Sequence, residues 1–267
     1  MQLSQNEFTI SQNEPIPSQK RASLPQKTFL SRTYQLYESD FECNGQVKPY
    51  RIMQLLQDVA TEHGRIIGVG WNVMNSHGML WVLSKINLVF SRPVTMQNGK
   101  FTLYTWPLAP NKFFAERCFC AVDENGEQLF CATSLWMIIS RDDRKILPAE
   151  TMNNFCTNNY SDVHSDAPNT FLRVRKDENY TFCYEKQIRR SDLDRNGHVN
   201  NTNYIVFALD VLPPHESVSA VEIVYHKELK LGDIVQISCK RDGEKVFVVG
   251  ENGGTSFTTV FTIGKQN

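Results

Sequence analysis

The chain has 267 residues, of which 41% are hydrophobic and 21% charged, and its formal net charge at pH 7 is −1. This length is sufficient for one large domain or for two ordinary ones, each with a substantial core. The balanced charge gives no reason to expect nucleic acid or an anionic membrane as a partner. Since no run reaches the roughly eighteen apolar residues of a membrane helix and no signal-peptide pattern opens the chain, we expect a cytoplasmic protein without membrane insertion.

The seven cysteines form no CxxC pair, and most of them lie within apolar runs. An odd number of scattered thiols is typical of reduced, small core residues rather than of a disulfide framework. We therefore expect free cysteines, no metal centre and no cofactor.

Residues 1–30 are rich in Ser, Gln and Pro and show no hydrophobic periodicity. This composition predicts a disordered leader. Two acidic residues, Glu7 and Glu14, and the scarcity of Arg argue against a transit peptide for a plastid or mitochondrion. Order is expected to begin near Ser31, with a first strand at 33–38.

An internal repeat with an offset of 152 residues organises the chain. In each copy a short polar segment precedes four apolar positions at the i, i+3, i+4, i+7 spacing of an amphipathic helix. The two copies align without a gap, so the repeat predicts two similar units. The matched pairs are Asp40 with Asp192, Asn44 with Asn196, Gly45 with Gly197, Val47 with Val199, Ile52 with Tyr204, Leu55 with Phe207, Leu56 with Ala208, Asp58 with Asp210 and Val59 with Val211.

Both predicted helices are followed by strand-like segments that are separated by short turns. Hairpin signals are present at Asn98-Gly99, Asn125-Gly126 and Asp242-Gly243. One strand, one central helix and a run of antiparallel strands in each half predict an α+β fold. The segments are 81–90, 101–106, 114–122 and 129–139 in the first half and 218–229, 234–241, 245–249 and 256–263 in the second.

The simplest packing buries the apolar stripe of each helix against the concave face of the sheet that follows it. The two units would then join edge to edge or face to face, as the subunits of an isologous dimer do. The polar stretch 151–180 predicts a linker between a first unit at 31–150 and a second at 181–267.

The first unit carries an additional apolar segment after its helix, which includes Trp71, Met74 and Met79. This segment suits an extension of the helix and the wall of an apolar pocket.

The densest polar stretch, 191–201, lies directly before the second helix and contains two carboxylates, one imidazole and three carboxamides. Asn200 or Asn201 is expected to cap the helix, and Gly197 to allow a tight turn. A helix start offers free N–H groups, which suit an oxyanion. A capped helix after an Asn-rich turn, with no catalytic role, explains the same residues. The polar side chains of the loop in front of the helix are Asp194, Asn196 and His198.

The two copies differ at these polar positions. At the offset of 152, Gln46 takes the place of His198. Farther on, alignment of the segments after the next strands puts Pro93 opposite Glu228. Because only the second copy carries the imidazole, a functional site is expected in the second half.

The motif Asp194-x-Asn196-x-His198-x-x-Asn201 ahead of a helix, with Tyr225-x-x-Glu228 farther on, resembles the acyl-acyl-carrier-protein thioesterases, the double hotdog enzymes of bacteria and plant plastids. The likeness spans most of the chain from Ser31 onward. The resemblance implies a tandem hotdog fold and hydrolysis of fatty acyl-acyl carrier protein, which releases a free fatty acid and ends chain elongation. It also implies a catalytic set that consists of Asp194, Asn196, His198 and Glu228.

The resemblance leaves the mechanism open. Glu228 or Asp194 would activate a water molecule, and His198 would orient it or carry its proton. The side-chain amide of Asn196 and a backbone N–H at the helix start would bind the carbonyl oxygen. A covalent route through Asp194 is the alternative. Plant members often have a cysteine after the glutamate, whereas this chain has Leu229, which argues against a cysteine nucleophile.

Two other functions are compatible with the same residues, namely an acyl-CoA thioesterase and an acyl-binding module without turnover. An acyl carrier protein is strongly acidic, so its docking surface should be basic, and the clusters 173–176 and 186–190 are the candidates. The chain would act as a monomer with an internal pseudo-dimer or as a homodimer. We expect it in the cytoplasm of a bacterium rather than in a plastid stroma.

Overall fold

The structure is a computed structural model that describes residues 29–156 and 160–264. The predicted leader at 1–30 lies outside the described residues except for its last two positions, and its disorder stays a prediction. Within the described ranges, no helix is both long enough and apolar enough to cross a membrane.

Both halves of the chain begin with a strand, continue through helix and end in a run of strands, as the α+β prediction requires. The elements of the first half are β1 (Leu30–Gln35), α1 (Pro49–Ile66), α2 (Trp71–Ser76), β2 (Met79–Phe90), β3 (Lys100–Pro107), β4 (Ala115–Asp123), β5 (Gln128–Ser140) and β6 (Ile146–Leu147). Those of the second half are β7 (Thr181–Gln187), α3 (Asn201–Leu209), β8 (Val218–Tyr225), β9 (Ile234–Asp242), β10 (Lys245–Glu251) and β11 (Thr255–Ile263).

The strands of the described residues form one continuous antiparallel sheet in the order β1-β3-β4-β5-β2-β8-β11-β10-β9-β7, with β6 beside β5. The second half repeats the strand order of the first in reverse, so a pseudo-two-fold axis passes between β2 and β8. At this seam Lys85 pairs with Val224 and Leu88 with Val221. Of the two arrangements that the sequence leaves open, the halves adopt the edge-to-edge one.

The two long helices pack their apolar stripes against the same face of this sheet. Ile52, Leu56 and Val59 of α1 are at most 1% exposed, and Phe207 of α3 is 2% exposed. All four belong to one apolar cluster that includes strand residues on both sides of the seam. Burial of each such side chain contributes about 1.5–3 kcal/mol, so this shared core holds the halves together. The predicted packing of the helices is confirmed.

Two local predictions are corrected by the structure. The first strand begins earlier than predicted, at Leu30, and ends at Gln35. The signal Asn98-Gly99 does not form a hairpin, because β4 and β5 lie between β2 and β3 in the sheet. Instead the Asn98 side chain accepts the Thr95 N–H at 2.7 Å and closes a local turn. The other two signals do connect neighbouring strands, β4 with β5 and β9 with β10.

The additional apolar segment of the first half does not extend α1. The helix ends at Ile66, and Gly68 adopts a positive φ of 86°. A Cβ at this glycine would lie 2.8 Å from the carbonyl oxygen of Phe155, so the close approach of the two backbones requires glycine. The chain then forms the separate short helix α2, which packs beside β2.

The segment between the halves, predicted as a linker at 151–180, runs across the face of the sheet opposite the helices. The Thr133 hydroxyl of β5 donates to the Ala167 carbonyl at 3.0 Å. The Leu172 N–H donates to the Glu222 carboxylate of β8 at 2.6 Å. These contacts lead the chain from the first half to the second, whereas the boundaries of the two units stay a prediction.

Candidate active site

The polar loop ahead of α3 has the same backbone frame as its counterpart in the first half. The carboxylates of Asp192 and Asp40 each accept the backbone N–H of the residue three positions earlier, at 2.7 and 3.0 Å. Gly197 and Gly45 turn the two loops with φ values of 78° and 80°. The internal repeat is therefore confirmed in three dimensions.

The segment that follows β8 is fixed beside this loop by the backbone. The Val199 N–H donates to the Leu229 carbonyl at 2.9 Å. The equivalent bond of the first half, from Val47 to Val94, has the same length. The alignment that sets a proline of the first half against Glu228 is thus correct.

Asn200 caps α3, which decides between the two residues predicted as caps. Its side chain accepts the Thr202 N–H at 3.0 Å, and its carbonyl accepts the Asn203 N–H at 2.9 Å. The N–H of Asn201, the first in the helix, has no acceptor among the described residues. This N–H is therefore available to a ligand at the positive end of the helix.

The Asp194 carboxylate holds the loop in shape. Its Oδ1 accepts the N–H of Asn196 at 2.8 Å and that of His198 at 3.2 Å. Its Oδ2 accepts the side-chain amide of Asn196 at 3.3 Å. Three of the four predicted site residues thus form one hydrogen-bonded unit, in which the charge of the carboxylate strengthens each bond.

Glu228 joins this unit through the imidazole. His198 Nε2 lies 3.5 Å from Glu228 Oε2, and the two side chains are 25% and 40% exposed. A backbone bridge between His198 and Lys230 keeps the two segments side by side. The structure therefore brings together all four residues of the predicted set, at a place that remains open to solvent.

Arg144 of the first half also reaches the site, and its contact there was not predicted. Its guanidinium donates to Glu228 Oε1, which forms an ion pair between the halves. Arg144 lies in the turn after β5 with a positive φ of 59°, and its N–H donates to the Ser140 carbonyl at 3.0 Å. No local pattern of the sequence links this turn to a residue 84 positions away.

A second contact crosses from the first half to the polar loop ahead of α3. The Arg195 guanidinium lies over the Trp71 ring, 4.1 Å from its centroid. Cation–π stacking of this kind orders an arginine at a surface. Trp71 therefore contacts the polar loop and, contrary to the prediction, does not line the apolar cavity.

Two tyrosine hydroxyls form hydrogen bonds to the backbone of the segments that carry the site. The Tyr204 hydroxyl accepts the Leu229 N–H at 3.1 Å, and the Tyr225 hydroxyl donates to the Asn201 carbonyl at 3.0 Å. Burial, together with the nearby carboxylates of Glu228 and Asp194, raises the pKa of Tyr204 to about 12. Tyr204 therefore stays protonated at neutral pH and links the helix to the segment that carries Glu228.

An apolar cavity begins at the start of α3 and continues beneath α1. Its walls are closely packed, and the space between them that water could occupy is about 10 Å³, room for about one molecule. Its walls come from α1, β2, β4 and β5 of the first half and from Asn201, Thr202 and Tyr225 of the second. Met74 and Met79, predicted as pocket walls, do not line this cavity and belong to a second apolar cluster.

The basic clusters that were predicted as docking surfaces are partly neutralised. Lys186 pairs with Asp192 at 3.1 Å, and Lys176 pairs with Glu251 at 2.8 Å. The arginines of both clusters are exposed. Arg189 and Arg190 lie directly before the polar loop, so among the residues of these two clusters they bring positive charge nearest to the site.

Comparison with known sequences identifies the same family in both halves. The sequence model of the acyl-ACP thioesterase N-terminal domain matches residues 27–155, and that of the C-terminal domain matches residues 175–264. A palmitoyl-acyl carrier protein thioesterase from Gossypium hirsutum is 26% identical over 201 residues, which are 69% of this chain and 48% of the relative. An oleoyl-acyl carrier protein thioesterase from Arabidopsis thaliana is 25% identical over 230 residues, with coverages of 77% and 62%. The chain thus spans about half to three-fifths of the length of these relatives.

Solved structures show the same fold. An acyl-ACP thioesterase from Bacteroides thetaiotaomicron superimposes with a TM-score of 0.74 at 21% identity, over 88% of this chain and 98% of that chain. A 12:0-ACP thioesterase from Umbellularia californica gives a TM-score of 0.74 at 18% identity, with coverages of 89% and 98%. The tandem hotdog fold implied by the resemblance is confirmed. With both domain models matched in order along the chain, the protein belongs to the acyl-ACP thioesterase family.

Proposed function

We propose that the protein hydrolyses the thioester of fatty acyl-acyl carrier protein and releases the free fatty acid, which ends chain elongation. The observation that carries this proposal is the meeting of Asp194, Asn196, His198 and Glu228 beside the start of α3, where an apolar cavity begins. Membership of the acyl-ACP thioesterase family supports the same reaction.

In this proposal the acyl chain enters the cavity and its thioester carbonyl lies at the start of α3. The free N–H of Asn201 and the second hydrogen of the Asn196 amide would bind the carbonyl oxygen as it becomes an oxyanion. The positive end of the helix adds to this stabilisation. Binding and activation would thus occur at the junction of the two halves.

Glu228 is the proposed general base. A water molecule hydrogen-bonded to both Glu228 and His198 would give a proton to the Glu228 carboxylate while its oxygen bonds to the thioester carbon. The C–S bond then breaks, and the proton passes from Glu228 to the leaving thiolate. His198 orients the water, and Arg144 holds the other carboxylate oxygen and balances its charge.

The covalent alternative through Asp194 is less compatible with the geometry. Both carboxylate oxygens already accept hydrogen bonds, three in all, from Asn196 and His198. An attack by this carboxylate would break bonds that hold the loop, and those donors also reduce its nucleophilicity. We therefore assign Asp194 to the shape of the loop and Glu228 to the water.

The proposed carrier is the acyl carrier protein. The exposed Arg189 and Arg190 lie beside the loop and would attract an acidic partner. Cytoplasm of a bacterium as the compartment, and a monomer or homodimer as the assembly, stay predictions.

The test is hydrolysis of saturated acyl thioesters of several lengths, each on acyl carrier protein and on coenzyme A. We expect turnover on acyl carrier protein, and a loss of about 10²–10⁴-fold in kcat for His198→Ala. The matched control is Gln46→Ala, because Gln46 occupies the equivalent position of the first half and should leave turnover unchanged.

Other results of this hydrolysis test would indicate a different function or a different site. Turnover confined to coenzyme A substrates would favour an acyl-CoA thioesterase, and acyl binding without turnover a binding module. Unchanged turnover in His198→Ala would contradict the assignment of the site.

A further inference from the structure

A buried polar layer interrupts the apolar face between α1 and the sheet. It consists of Arg117 on β4, His63 on α1 and Thr105 on β3, which are 9%, 2% and 0% exposed. The Arg117 guanidinium, through one nitrogen, lies 2.9 Å from His63 Nδ1 and 3.2 Å from the Thr105 hydroxyl. The mechanism proposed above uses none of these groups.

Arg117 is a buried cation, and no carboxylate of the described ranges pairs with it. Among the described residues, the ionisable groups that act on it are the thiols of Cys118 and Cys156. Burial lowers the pKa of Arg117 to about 10, so it is still charged at neutral pH. The pKa of His63 falls to about 3 through burial and the nearby guanidinium, so the imidazole is neutral and accepts from Arg117. Burial of a charge without an opposite charge beside it lowers the free energy of unfolding. We therefore looked for a function that this buried guanidinium could serve.

The layer stands between two apolar clusters. Along β4, Phe119 belongs to the cluster that contains the cavity and Ala115 to the second cluster, with Arg117 between them on the same face. Along α1, His63 lies in the same way between Ala60 of the first cluster and Ile67 of the second. The polar layer therefore lies between the two apolar clusters beneath α1, while Trp136 on β5 packs against both of them.

The cavity leads to this layer. Its lining passes from Tyr225 on β8 across β2 and β5 to Phe119 on β4, which is three strand spacings or about 14 Å. Arg117 is the next residue of β4 on the same face, and it pairs in register with Ser134, which also lines the cavity. A chain that enters at the start of α3 and follows the cavity thus meets Arg117 and His63 at the far end.

We propose that the layer formed by Arg117, His63 and Thr105 is the end stop of the acyl channel and limits the length of chain that the enzyme accepts. The inference rests on the proposed function, since it takes the cavity as the acyl site. A longer chain would have to part Arg117 from His63 and leave the guanidinium buried without an acceptor, which is unfavourable. Beyond the layer lies the second cluster with Met74, Met79 and Met152, whose flexible side chains could yield to a chain if the stop were removed.

The experiment compares kcat/KM for acyl-acyl carrier proteins from octanoyl to octadecanoyl in the wild type, in Arg117→Met and in the double variant Arg117→Met/His63→Leu. We expect the preference to move to longer chains, with kcat/KM for the first chain that the wild type rejects rising about tenfold or more relative to its best substrate. The double variant makes the layer apolar as a whole, which a core tolerates better than an unpaired polar group. The matched control is Cys118→Ala, since Cys118 is the next residue of the same strand, is buried on the opposite face and should leave the length profile unchanged.

A second readout does not depend on turnover. Displacement of a fluorescent fatty acid by free acids of graded length should show the same shift in both layer variants. A wild type that hydrolyses no thioester would contradict the proposed function. A wild type that is active, with folded variants whose kinetic and binding profiles match it, would overturn the end stop alone.

Discussion

Two carboxylates of the site differ in what surrounds them, and this difference separates their proposed roles. Asp194 accepts three hydrogen bonds from its own loop, whereas Glu228 faces His198 on one side and Arg144 on the other. Asp194 is therefore assigned to holding the loop and Glu228 to accepting the proton, although the sequence motif does not distinguish the two carboxylates.

Arg144 is expected to position Glu228 and not to react itself. The Arg144 guanidinium holds one carboxylate oxygen of Glu228. Arg144→Ala should therefore let the Glu228 side chain rotate away from His198 and lower kcat by about 10–100-fold, with little change in KM. Steady-state kinetics on the preferred substrate provide the measurement. Arg144→Lys keeps a charge at this place and should recover part of the rate.

A merely structural role for Arg144 would give a different result. The side chain is 44% exposed, so its removal should leave the melting temperature nearly unchanged. Loss of activity in proportion to loss of folded protein would argue against a positioning role.

His63 should make the protein sensitive to acid. Its pKa is about 3 in the folded state because of burial and Arg117, against 6.5 as its ordinary value. Between these two pH values the unfolded chain binds a proton that the folded chain does not, so the free energy of unfolding should fall as the pH falls, by up to about 1.4 kcal/mol per pH unit. Urea unfolding at pH 7 and pH 5 measures this slope, and His63→Gln should reduce it. Equal slopes in both proteins would show that other groups dominate.

The helix caps offer a comparison between the halves at the scale of the element. Asn200 accepts both the N–H and the hydroxyl of the buried Thr202, whereas Lys48, the equivalent residue before α1, makes no side-chain cap. Asn200→Ala should therefore lower the free energy of unfolding by about 1 kcal/mol, and Lys48→Ala by less than about 0.5 kcal/mol. Thermal or urea unfolding of the two variants is the measurement, and equal losses would contradict the role of the cap.

Elements set by local pattern could be predicted from the sequence, and those set by distant contacts could not. The turn at Gly197 and the cap at Asn200 follow from residue type and spacing over a few positions. The separate helix α2 depends on the approach of the Phe155 carbonyl to Gly68, which no local pattern reveals. The Asn98-Gly99 signal misled for a related reason, because two strands from later in the chain separate β2 from β3.

The same limit applies to the candidate site. His198 and Glu228 could be proposed because the repeat isolates them as positions at which the copies differ, whereas Asp194 and Asn196 were indicated by the polar loop and the family resemblance. Arg144 could not be placed in the site, and Arg117 could not be paired with His63, because the sheet alone brings these residues together.

At the scale of the molecule, the seam between β2 and β8 joins the two halves, and we expect them to unfold as one cooperative unit. Leu88 and Val221 face each other across it, both fully buried, and one apolar cluster continues from α1 to α3. The pairing of β2 with β8 thus takes place within one chain, whereas two separate subunits would need a dimer interface for it.

A core substitution in the second half should therefore destabilise the first half as well. The four tryptophans, at positions 71, 81, 106 and 136, all lie in the first half, so their fluorescence reports on that half, apart from the contact of Trp71 with Arg195. Val248 on β10 is fully buried in the shared cluster, and Val248→Ala should cost about 1–3 kcal/mol. The tryptophan transition should then move down by about 2–4 °C for each kcal/mol, together with the far-UV circular dichroism transition. The control is Lys245→Ala, an exposed position of the same strand. A fluorescence transition that stays in place while the circular dichroism transition splits would mean that the halves unfold separately, and that the seam joins two domains instead of completing one.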